Sequence, residues 1–282
     1  METAVHFDSD GIKLGGELSL PDGHGKERLP GIVLAHGFAG ARYPKMAEHF
    51  ANLGYGVLAF DFRGYGKSGG QRGTVLPREQ VSDIKNAVTW LAARAEIDPG
   101  RICVVGSSLG GSIAIMAAAE DLRISVCVAG CPLGHGDSPL RNLYNTEEKF
   151  KQFMAKVAEK KRKNEHLQRF EIVLIPENLR GHLPPGTPMS FTADTVHGFL
   201  SLNPLEVIGK IAPRPLFIIH AEDDRVVPVK DALDLKARAG SNCELDLVTT
   251  GDHFIFGATP IIERIGSWLQ KKLPTKQAAA RA

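Results

Sequence analysis

A serine in the pattern G-x-S-x-G is a candidate nucleophile, and the sequence contains this pattern twice. One copy is GSSLG at 106–110 and the other is GKSGG at 66–70. Such a serine does chemistry when a strand precedes it and a helix follows, because the tight turn between them lifts the hydroxyl out of the sheet. Only 106–110 has this context, between the apolar run ICVV and the segment LGGSIAIMAAAE. The pattern therefore predicts Ser108 as the nucleophile.

The other serines of these patterns have structural interpretations. Ser107 occupies an x position, where the side chain points away from the nucleophile. Ser68 lies in the glycine-rich loop FRGYGKSGGQRG, which no helix directly follows, so turn formation explains it better. This loop also matches the dinucleotide fingerprint G-x-G-x-x-G at 64–69, but the fingerprint requires a helix that begins at the loop and holds the pyrophosphate. A longer loop containing Pro77 intervenes here, which disfavours a nucleotide site.

A serine nucleophile needs a base, and the base needs an acid that orients it. In the chain order serine, acid, histidine, both partners follow Ser108. Neighbouring acidic residues occur in AEDDRVVP at 221–228, after the apolar run PLFIIH, and His253 occurs in GDHF after the strand-like stretch CELDLVTT. Each stands where a strand opens into a loop, the edge at which doubly wound sheets bind ligands. We therefore expect these groups to lie beside Ser108.

The elements that position these residues follow from the hydrophobic pattern. Alternating residues on both sides of Asp10-Gly11 predict an antiparallel hairpin. Unbroken apolar runs predict strands buried on both faces, at 31–35, 57–60, 102–105, 124–129 and 215–220. Three-and-four spacing of apolar residues predicts helices at 43–53, 79–95, 109–121, 230–239 and 260–273. This alternation is typical of a doubly wound, mainly parallel sheet.

One long stretch interrupts the alternation. About eighty residues separate the strand that ends near Cys131 from the one that starts at Pro215, far more than a loop requires. We predict a cap inserted at 134–202, a core at 1–133 and 203–275, and a flexible tail at 276–282. Part of the cap carries a helical apolar stripe of Phe150, Phe153, Met154, Val157, Leu167 and Phe170. The stretch FEIVLIPENLRGHLPPGTP is too rich in proline for one regular element.

Composition and charge disfavour several classes of protein. The formal net charge is +2, and Lys and Arg are spread along the chain, which argues against a nucleic-acid partner. The start lacks a signal-peptide pattern and no run of about 18 apolar residues occurs, so we expect a cytoplasmic protein with no membrane span. The four cysteines and the histidines lack metal-ligand or redox spacing, so we predict buried free thiols and no metal.

Five short motifs follow one another along the chain. They are HGFAG at 36–40, DFRGYGKSGG at 61–70, GSSLGG at 106–111, EDDRVVP at 222–228 and GDHF at 251–254. Through them the sequence resembles the α/β-hydrolase superfamily from Val5 to about Leu273, with the cap as its least typical part. The resemblance implies an α/β-hydrolase fold, a mainly parallel sheet of about eight strands flanked by helices, with a helical cap inserted after strand 6.

The resemblance also implies roles for single residues. It makes Ser108 the nucleophile and His253 the base. In the family form D-x-x-V-P the acid precedes the proline by four residues, which selects Asp224 over Asp223. Some members place the acid after an earlier strand, which leaves Asp137 as an alternative.

Backbone N–H groups form the oxyanion hole that the resemblance implies. The two donors map onto Phe38 and Leu109, the latter at the positive end of the following helix. His36 and His220 end strands, and we expect them to hold neighbouring loops. Three other histidines lie in or beside the cap, where packing or surface roles are expected: His135, His182 and His197.

The implied chemistry is acyl transfer to water through an acyl-enzyme, without a cofactor. We expect a serine esterase that acts on a small-molecule carboxylic ester. Hydrolysis of amides, peptides or carbon–carbon bonds on the same scaffold stays open, because the fold does not separate these reactions. A non-catalytic binding protein is a further alternative, which the complete set of serine, acid and histidine disfavours. The oligomeric state is open.

Apolar residues of the cap are candidates for the walls of a substrate cavity. We predict substrate contacts at Phe150, Phe153, Met154 and Phe199. Phe170 and Phe191 have the same character. The alternative is that these side chains form the core of the cap itself.

Overall fold

The computed structural model describes residues 2–25, 27–38, 40, 42–144, 146–163, 169–171, 190–249 and 251–276, with the backbone alone at 143, 169–171, 190 and 191. The strands within these residues are β1 (Glu2–Ser9), β2 (Ile12–Ser19), β3 (Leu29–Ala35), β4 (Gly56–Phe60), β5 (Ile97–Ser107), β6 (Ile124–Gly130), β7 (Arg169–Glu171), β8 (Ser190–Thr192), β9 (Leu216–Ala221) and β10 (Cys243–Val248).

Eight of these strands form one sheet, in the order β1-β2-β4-β3-β5-β6-β9-β10. Neighbouring strands from β4 to β10 are parallel, and the β1–β2 hairpin is added antiparallel beside β4. The predicted hairpin and the mainly parallel sheet are thereby confirmed. β5, which leads directly to Ser108, lies between β3 and β6, so the sheet supports this strand from both sides.

The helices alternate with the strands, as predicted. They are α1 (Pro44–Asn52), α2 (Pro77–Ala92), α3 (Leu109–Glu120), α4 (Ser138–Tyr144), α5 (Glu147–Arg162), α6 (Ala193–Leu200), α7 (Pro204–Val207), α8 (Val229–Ala239) and α9 (Thr259–Lys272). Proline stands in the first turn of five of them, α1, α2, α4, α7 and α9, where its missing N–H leaves no hydrogen bond unmade. In the described part of the chain, every helix is too short or too polar to cross a lipid bilayer.

Helices cover the sheet on both faces. In β3, Ile32 and Leu34 belong to the core that α1 and α9 complete. Val33 and Ala35, which alternate with them, belong to the core on the side of α2, α3 and α8. Since both faces of the strand are buried, its sequence is an unbroken apolar run rather than an alternating one.

The segment predicted as a cap lies between β6 and β9. It contains α4, α5 and α6 together with the short antiparallel pair β7–β8, which the sequence did not predict. Val157 of the predicted stripe is fully buried on α5. Leu167, the proline-rich stretch at 172–189 and the end of the predicted tail at 277–282 lie outside the described residues. The boundaries of the cap stay a prediction.

Candidate active site

Ser108 lies at a sharp turn between β5 and α3. Its backbone has φ 54° and ψ −124°, in a region that residues with a side chain rarely adopt. The Ser108 N–H donates to the carbonyl oxygen of Gly130 at 2.7 Å, which joins the turn to the end of β6. A conformation of this kind costs about 1–3 kcal/mol and persists only where the surrounding structure holds it. Ser108 therefore occupies the strained position that the sequence frame assigns to it.

Two glycines allow the chain to pass through this turn. A Cβ atom at Gly106 would lie 2.2 Å from the carbonyl oxygen of Gly110. A Cβ atom at Gly110 would lie 2.3 Å from the carbonyl oxygen of His36, on the neighbouring strand's loop. The obstructing atoms belong to the backbone, so they cannot rotate away as a side chain could. The glycines of G-x-S-x-G are thus a packing requirement of the turn.

Three side chains from distant parts of the sequence meet at the turn. The Oγ atom of Ser108 lies 2.8 Å from Nε2 of His253, and Nδ1 of His253 lies 2.7 Å from Oδ2 of Asp224. Because Nδ1 faces a carboxylate, it carries the ring proton, and Nε2 of the neutral ring is left to accept the hydroxyl proton of Ser108. The structure thus brings the predicted serine, histidine and acid into one hydrogen-bonded chain.

The carboxylate of Asp224 is held by donors on both of its oxygens. Oδ2 faces His253, and Oδ1 accepts the backbone N–H groups of Val226 and Val227, each at 2.8 Å. The side chain is almost completely buried. Since every one of these hydrogen bonds requires an acceptor, the loop 224–227 fixes the carboxylate in one orientation towards the imidazole.

The alternative acids have other partners. Asp223 accepts the backbone N–H of Asp252 at 3.0 Å. Asp137, directly before α4, forms an ion pair with Arg141 of that helix at 2.6 Å. Among the acids that the sequence left open, the contact with the histidine therefore belongs to Asp224.

Ser107 is buried and has a partner of its own. Its side chain is hydrogen-bonded to the hydroxyl of Tyr43, and burial raises the pKa of that phenol. The Tyr43 ring packs edge-on against Phe256, with centroids 5.5 Å apart. Ser107 thus joins the end of β5 to the start of α1, which agrees with its structural interpretation.

Ser68 also has structural contacts. Its hydroxyl donates to the carbonyl oxygen of Asp61 and accepts the backbone N–H of Gly15 at 2.9 Å. The backbone N–H of Lys67 donates to the Asp61 carboxylate at 2.8 Å, which closes the loop on itself. α2 begins only at Pro77, so the loop 64–69 does not open a helix and lacks the geometry of a pyrophosphate site.

The segment 36–38 runs directly beside the turn. A Cβ atom at Gly37 would lie 3.2 Å from Cβ of Ser108, so the two backbones are closely packed. Phe38 follows Gly37, and Leu109 is the first residue of α3. Both predicted oxyanion donors are therefore neighbours of Ser108, and their role as donors stays a prediction.

His36 holds this segment in place. Its Nδ1 donates to the carbonyl oxygen of Gly37 at 2.7 Å, and its Nε2 accepts the backbone N–H of Phe62 at 3.0 Å. This pair of contacts requires a neutral ring with its proton on Nδ1. Burial lowers the pKa of His36, which favours the same neutral form. The sequence predicts such a loop-holding role.

Two further buried groups, Cys131 and His220, lie beside the acid. His220 Nε2 lies 3.0 Å from the carbonyl oxygen of Val227 and 3.4 Å from Oδ2 of Asp224. The Cys131 thiol, the Asp224 carboxylate and the His253 ring place their ligand atoms within 4.8 Å of one another. Such donors bind zinc elsewhere, but burial raises the pKa of the Cys131 thiol well above its usual value, which disfavours the thiolate ligand. The absence of a metal stays a prediction.

Two of the predicted substrate contacts pack within the cap. Phe150 is buried on α5 under the guanidinium of Arg141, 4.2 Å from the ring centroid. Phe153 is buried on the same helix and stacks on Tyr144, with centroids 4.6 Å apart. These contacts join α5 to α4 and favour the core interpretation for both residues.

The other two predicted contacts differ in their surroundings. The buried Phe199 on α6 packs edge-on against Phe38, with ring centroids 5.3 Å apart, which brings it beside the candidate oxyanion segment. Met154 is half-buried on α5 and packs against the main core. The side chains of Phe170 and Phe191 lie outside the described residues. Substrate contact stays a prediction, and the position of Phe199 favours it most.

Three residues around His253 have contacts that the sequence did not predict. Asp252 accepts the backbone N–H of His253 at 2.7 Å and binds the guanidinium of Arg225. Phe254 is 37% exposed, and its ring lies 5.5 Å from the imidazole of His253. The motifs EDDRVVP and GDHF contain all three residues. Their chemistry depends on contact between two loops, which neither motif reveals by itself.

Comparison with known proteins adds information on the whole chain. A family model described as the alpha/beta hydrolase family matches residues 32–261. Over 292 aligned residues the chain is 30% identical to an uncharacterized 31.7 kDa protein of Escherichia coli, an alignment that covers 97% of this chain and all of that protein.

Two further similarities concern proteins with named activities. Over 128 residues the chain is 41% identical to a thiohydrolase of Aspergillus aculeatus, which covers 44% of this chain and 39% of the thiohydrolase. The structure of Est1E from Butyrivibrio proteoclasticus with bound ferulic acid matches with a TM-score of 0.72 and 19% identity, covering 96% of this chain and 100% of Est1E. At this identity the second likeness is one of fold alone.

Gly110→Ala tests the packing of the turn. The new methyl group would meet the backbone carbonyl of His36, so we expect the free energy of unfolding to fall by about 2 kcal/mol or more. The matched control is Gly100→Ala, whose Cβ would meet only an oxygen of Asp98 at 3.5 Å. Denaturant unfolding of both variants measures the difference. Equal stabilities would contradict the proposed steric requirement.

The buried His36 predicts loss of stability in weak acid. Below the ordinary histidine pKa of about 6.5, the unfolded chain gains a proton that the folded ring does not accept. The free energy of unfolding is therefore unaffected above this pH and decreases as the pH falls towards the lowered pKa, by up to about 1.4 kcal/mol per pH unit. His36→Gln should reduce this slope in denaturant titrations, whereas the exposed control His6→Gln should not. An unchanged slope in His36→Gln would refute the assignment.

Proposed function

Since this chain belongs to the alpha/beta hydrolase family, we propose that it is a serine hydrolase that transfers the acyl group of a carboxylic ester to water. The observation that carries the proposal is the continuous hydrogen-bonded chain from Asp224 through His253 to Ser108. Such a chain activates a hydroxyl that is otherwise a weak nucleophile at neutral pH. The substrate is a small molecule, and the reaction needs no cofactor.

The first half of the reaction forms an acyl-enzyme. Nε2 of His253 takes the proton of Ser108 as Oγ attacks the carbonyl carbon of the ester, and a tetrahedral oxyanion results. The carboxylate of Asp224 stabilises the imidazolium that forms and keeps the ring in its orientation. The imidazolium then gives its proton to the leaving alcohol oxygen as the carbon–oxygen bond breaks.

The second half of the reaction releases the acid. A water molecule takes the place of the alcohol, and His253 removes its proton as the water oxygen attacks the acyl carbon. Collapse of the second tetrahedral intermediate expels Oγ of Ser108, which regains its proton from the imidazolium. The enzyme returns to its initial state with one ester bond cleaved and one water consumed.

Backbone N–H groups stabilise the negative charge of the oxyanion. We assign its stabilisation to the N–H groups of Phe38 and Leu109, which flank Ser108 on two sides. Leu109 begins α3, so the partial positive charge at the start of that helix acts in the same direction. Donors of this kind typically contribute on the order of 10²–10³ in turnover each.

The exposed ring of Phe254 favours esters whose alcohol part is apolar. His253 must protonate the departing oxygen, so the alcohol part of the ester leaves on the side of the imidazole. Phe254 lies on that side, and its exposed ring offers an apolar surface next to His253. An alkyl or aryl alcohol that covers this ring would gain free energy from the buried area.

Thioester hydrolysis is the second candidate. The similarity to a thiohydrolase over part of the chain favours it, since the same serine and histidine could expel a thiolate instead of an alcohol. Amide, peptide and carbon–carbon substrates are further alternatives that the fold accommodates. All of them share the serine and the histidine, so the chemistry of the leaving group is the property that separates them.

Substitution of the serines tests the assignment of the nucleophile. We expect Ser108→Ala and His253→Ala each to reduce hydrolysis of a short p-nitrophenyl ester by roughly 10⁴–10⁶, because the groups act as one unit. The adjacent control Ser107→Ala removes only a buried hydrogen bond, so it should cost about 1 kcal/mol of stability and leave most of the activity. An inactive Ser107→Ala with an active Ser108→Ala would show that Ser107, and not Ser108, is the nucleophile.

A panel of matched substrates tests the class of leaving group. Acyl groups of equal length are offered as oxygen ester, thioester, amide and carbon–carbon substrate, and kcat/KM is measured for each. We expect the oxygen ester to have the highest value, with Ser108→Ala as the blank for spontaneous hydrolysis. A higher value for the thioester would assign the second candidate, and a higher value for the amide or the carbon–carbon substrate would exclude both.

A further inference from the structure

The acid and the histidine come from two loops that the sheet holds unequally. Asp224 follows β9, which pairs with β6 on one side and β10 on the other. His253 follows β10, which is the last strand of the sheet. The loop of the histidine therefore has sheet support on one side only. Besides the burial of Ile255 and Phe256 after the histidine, contacts between the two loops constrain the distance between the acid and the imidazole.

The backbone before His253 adopts conformations that need support. Gly251 has φ 136° and Asp252 has φ 54°, both in the region where L-residues are rare. Asp252 is not a glycine, so its conformation costs free energy and persists only where contacts stabilise it. These contacts come from the residues on either side of Asp224.

Arg225 and Asp223 both bind Asp252. The Nε of Arg225 donates to Oδ2 of Asp252 at 3.0 Å, and its Nη2 donates to the same oxygen. The backbone N–H of Arg225 donates to Oδ1 at 3.2 Å, and His253 donates its own N–H to that oxygen at 2.7 Å. In return, Asp252 donates its N–H to Asp223 at 3.0 Å. The residues flanking the acid thus hold the residue that precedes the histidine.

Charge and burial support this arrangement. The side chain of Asp252 is 16% exposed, whereas that of Arg225 is 60% exposed. Burial alone would raise the pKa of Asp252, but the Arg225 guanidinium and the two backbone N–H donors lower it. The carboxylate therefore stays ionised over the pH range in which a neutral imidazole can act as a base. The carbonyl oxygen of Arg225 also accepts from Asn142 of α4 at 2.6 Å.

From this geometry we propose that Arg225 and Asp252 are positioning residues that fix the distance between Asp224 and His253. The inference rests on the function proposed above and adds two residues that do not touch the substrate. An exposed ion pair by itself contributes only about 0–1 kcal/mol to stability. Its effect on catalysis is larger, because misplacement of a reacting group by about 1 Å can cost roughly 10² in rate.

The test compares Arg225→Ala, Asp252→Ala and the double variant on the ester used for the wild type. We expect kcat to fall by about 10–100-fold in each single variant, with KM changed by less than about 3-fold, because the imidazole loses its position and the substrate does not lose a contact. The double variant should be no slower than Asp252→Ala, since both substitutions remove the same interaction. Arg225→Lys keeps the charge and should restore part of kcat.

The matched control is Arg264→Ala. Arg264 pairs with Asp246 at 3.0 Å, and its side chain is 52% exposed, so the substitution removes a similar ion pair, between α9 and β10, that includes no residue of either loop. We expect wild-type kcat and a similar small change in thermal unfolding. This control separates loss of position from general loss of an exposed ion pair.

Arg225→Ala alone decides the proposal if Asp252→Ala fails to fold, because Arg225 is largely exposed. A kcat within about 2-fold of both the wild type and Arg264→Ala would overturn it. Multiplicative losses in the double variant would also overturn it, since they would show that the two residues act independently and not through one shared interaction. Failure of the proposed function has a different signature, namely a wild type without hydrolytic activity or an active Ser108→Ala.

Discussion

The backbone bend at Ser108 is the constraint on which the rest of the site depends. With φ 54°, the residue has a strained backbone conformation, which persists only because the surrounding structure holds it. β5 enters the bend from the centre of the sheet and α3 leaves it, while Gly106 and Gly110 let the two backbones pass at close range. The bend also sets the direction of the Oγ atom. Every other group of the site is useful only if it lies where that oxygen points.

Parallel strands explain how the other groups reach this point. The carboxyl ends of β3, β5, β6, β9 and β10 lie at one edge, so the loops after them converge. β3 leads into the segment 36–38, and β6 ends at Gly130, whose carbonyl oxygen accepts the Ser108 N–H. β9 and β10 lead into the loops that carry the acid and the histidine. Residues more than a hundred positions apart in the sequence thus meet at one edge of the sheet. The order of the strands determines which loops meet.

Much of this arrangement could be predicted from the sequence because it depends on local rules. Buried parallel strands are apolar throughout, so β3 and β5 are visible as runs, and the strand-turn-helix context separates Ser108 from Ser68. Three features depend on tertiary contacts and could not be derived from the sequence. β7 and β8 are short strands that pair with each other, Arg225 and Asp252 meet across two loops, and the packing of Phe150 against Arg141 favours a core role over a substrate contact. No residue pattern encodes these contacts locally.

The central claim is that a single hydroxyl, at position 108, is the nucleophile and that His253 activates it. Reaction with a p-nitrophenyl alkylphosphonate, followed by proteolysis and mass spectrometry, tests this directly, because a serine activated by such a base attacks phosphorus, expels p-nitrophenolate and retains the phosphonyl group. We expect one adduct, on the peptide of β5 and α3 at Ser108, which is formed far more slowly in His253→Ala and is absent in Ser108→Ala. An adduct on Ser107, or labelling of Ser108 at the same rate without His253, would contradict it.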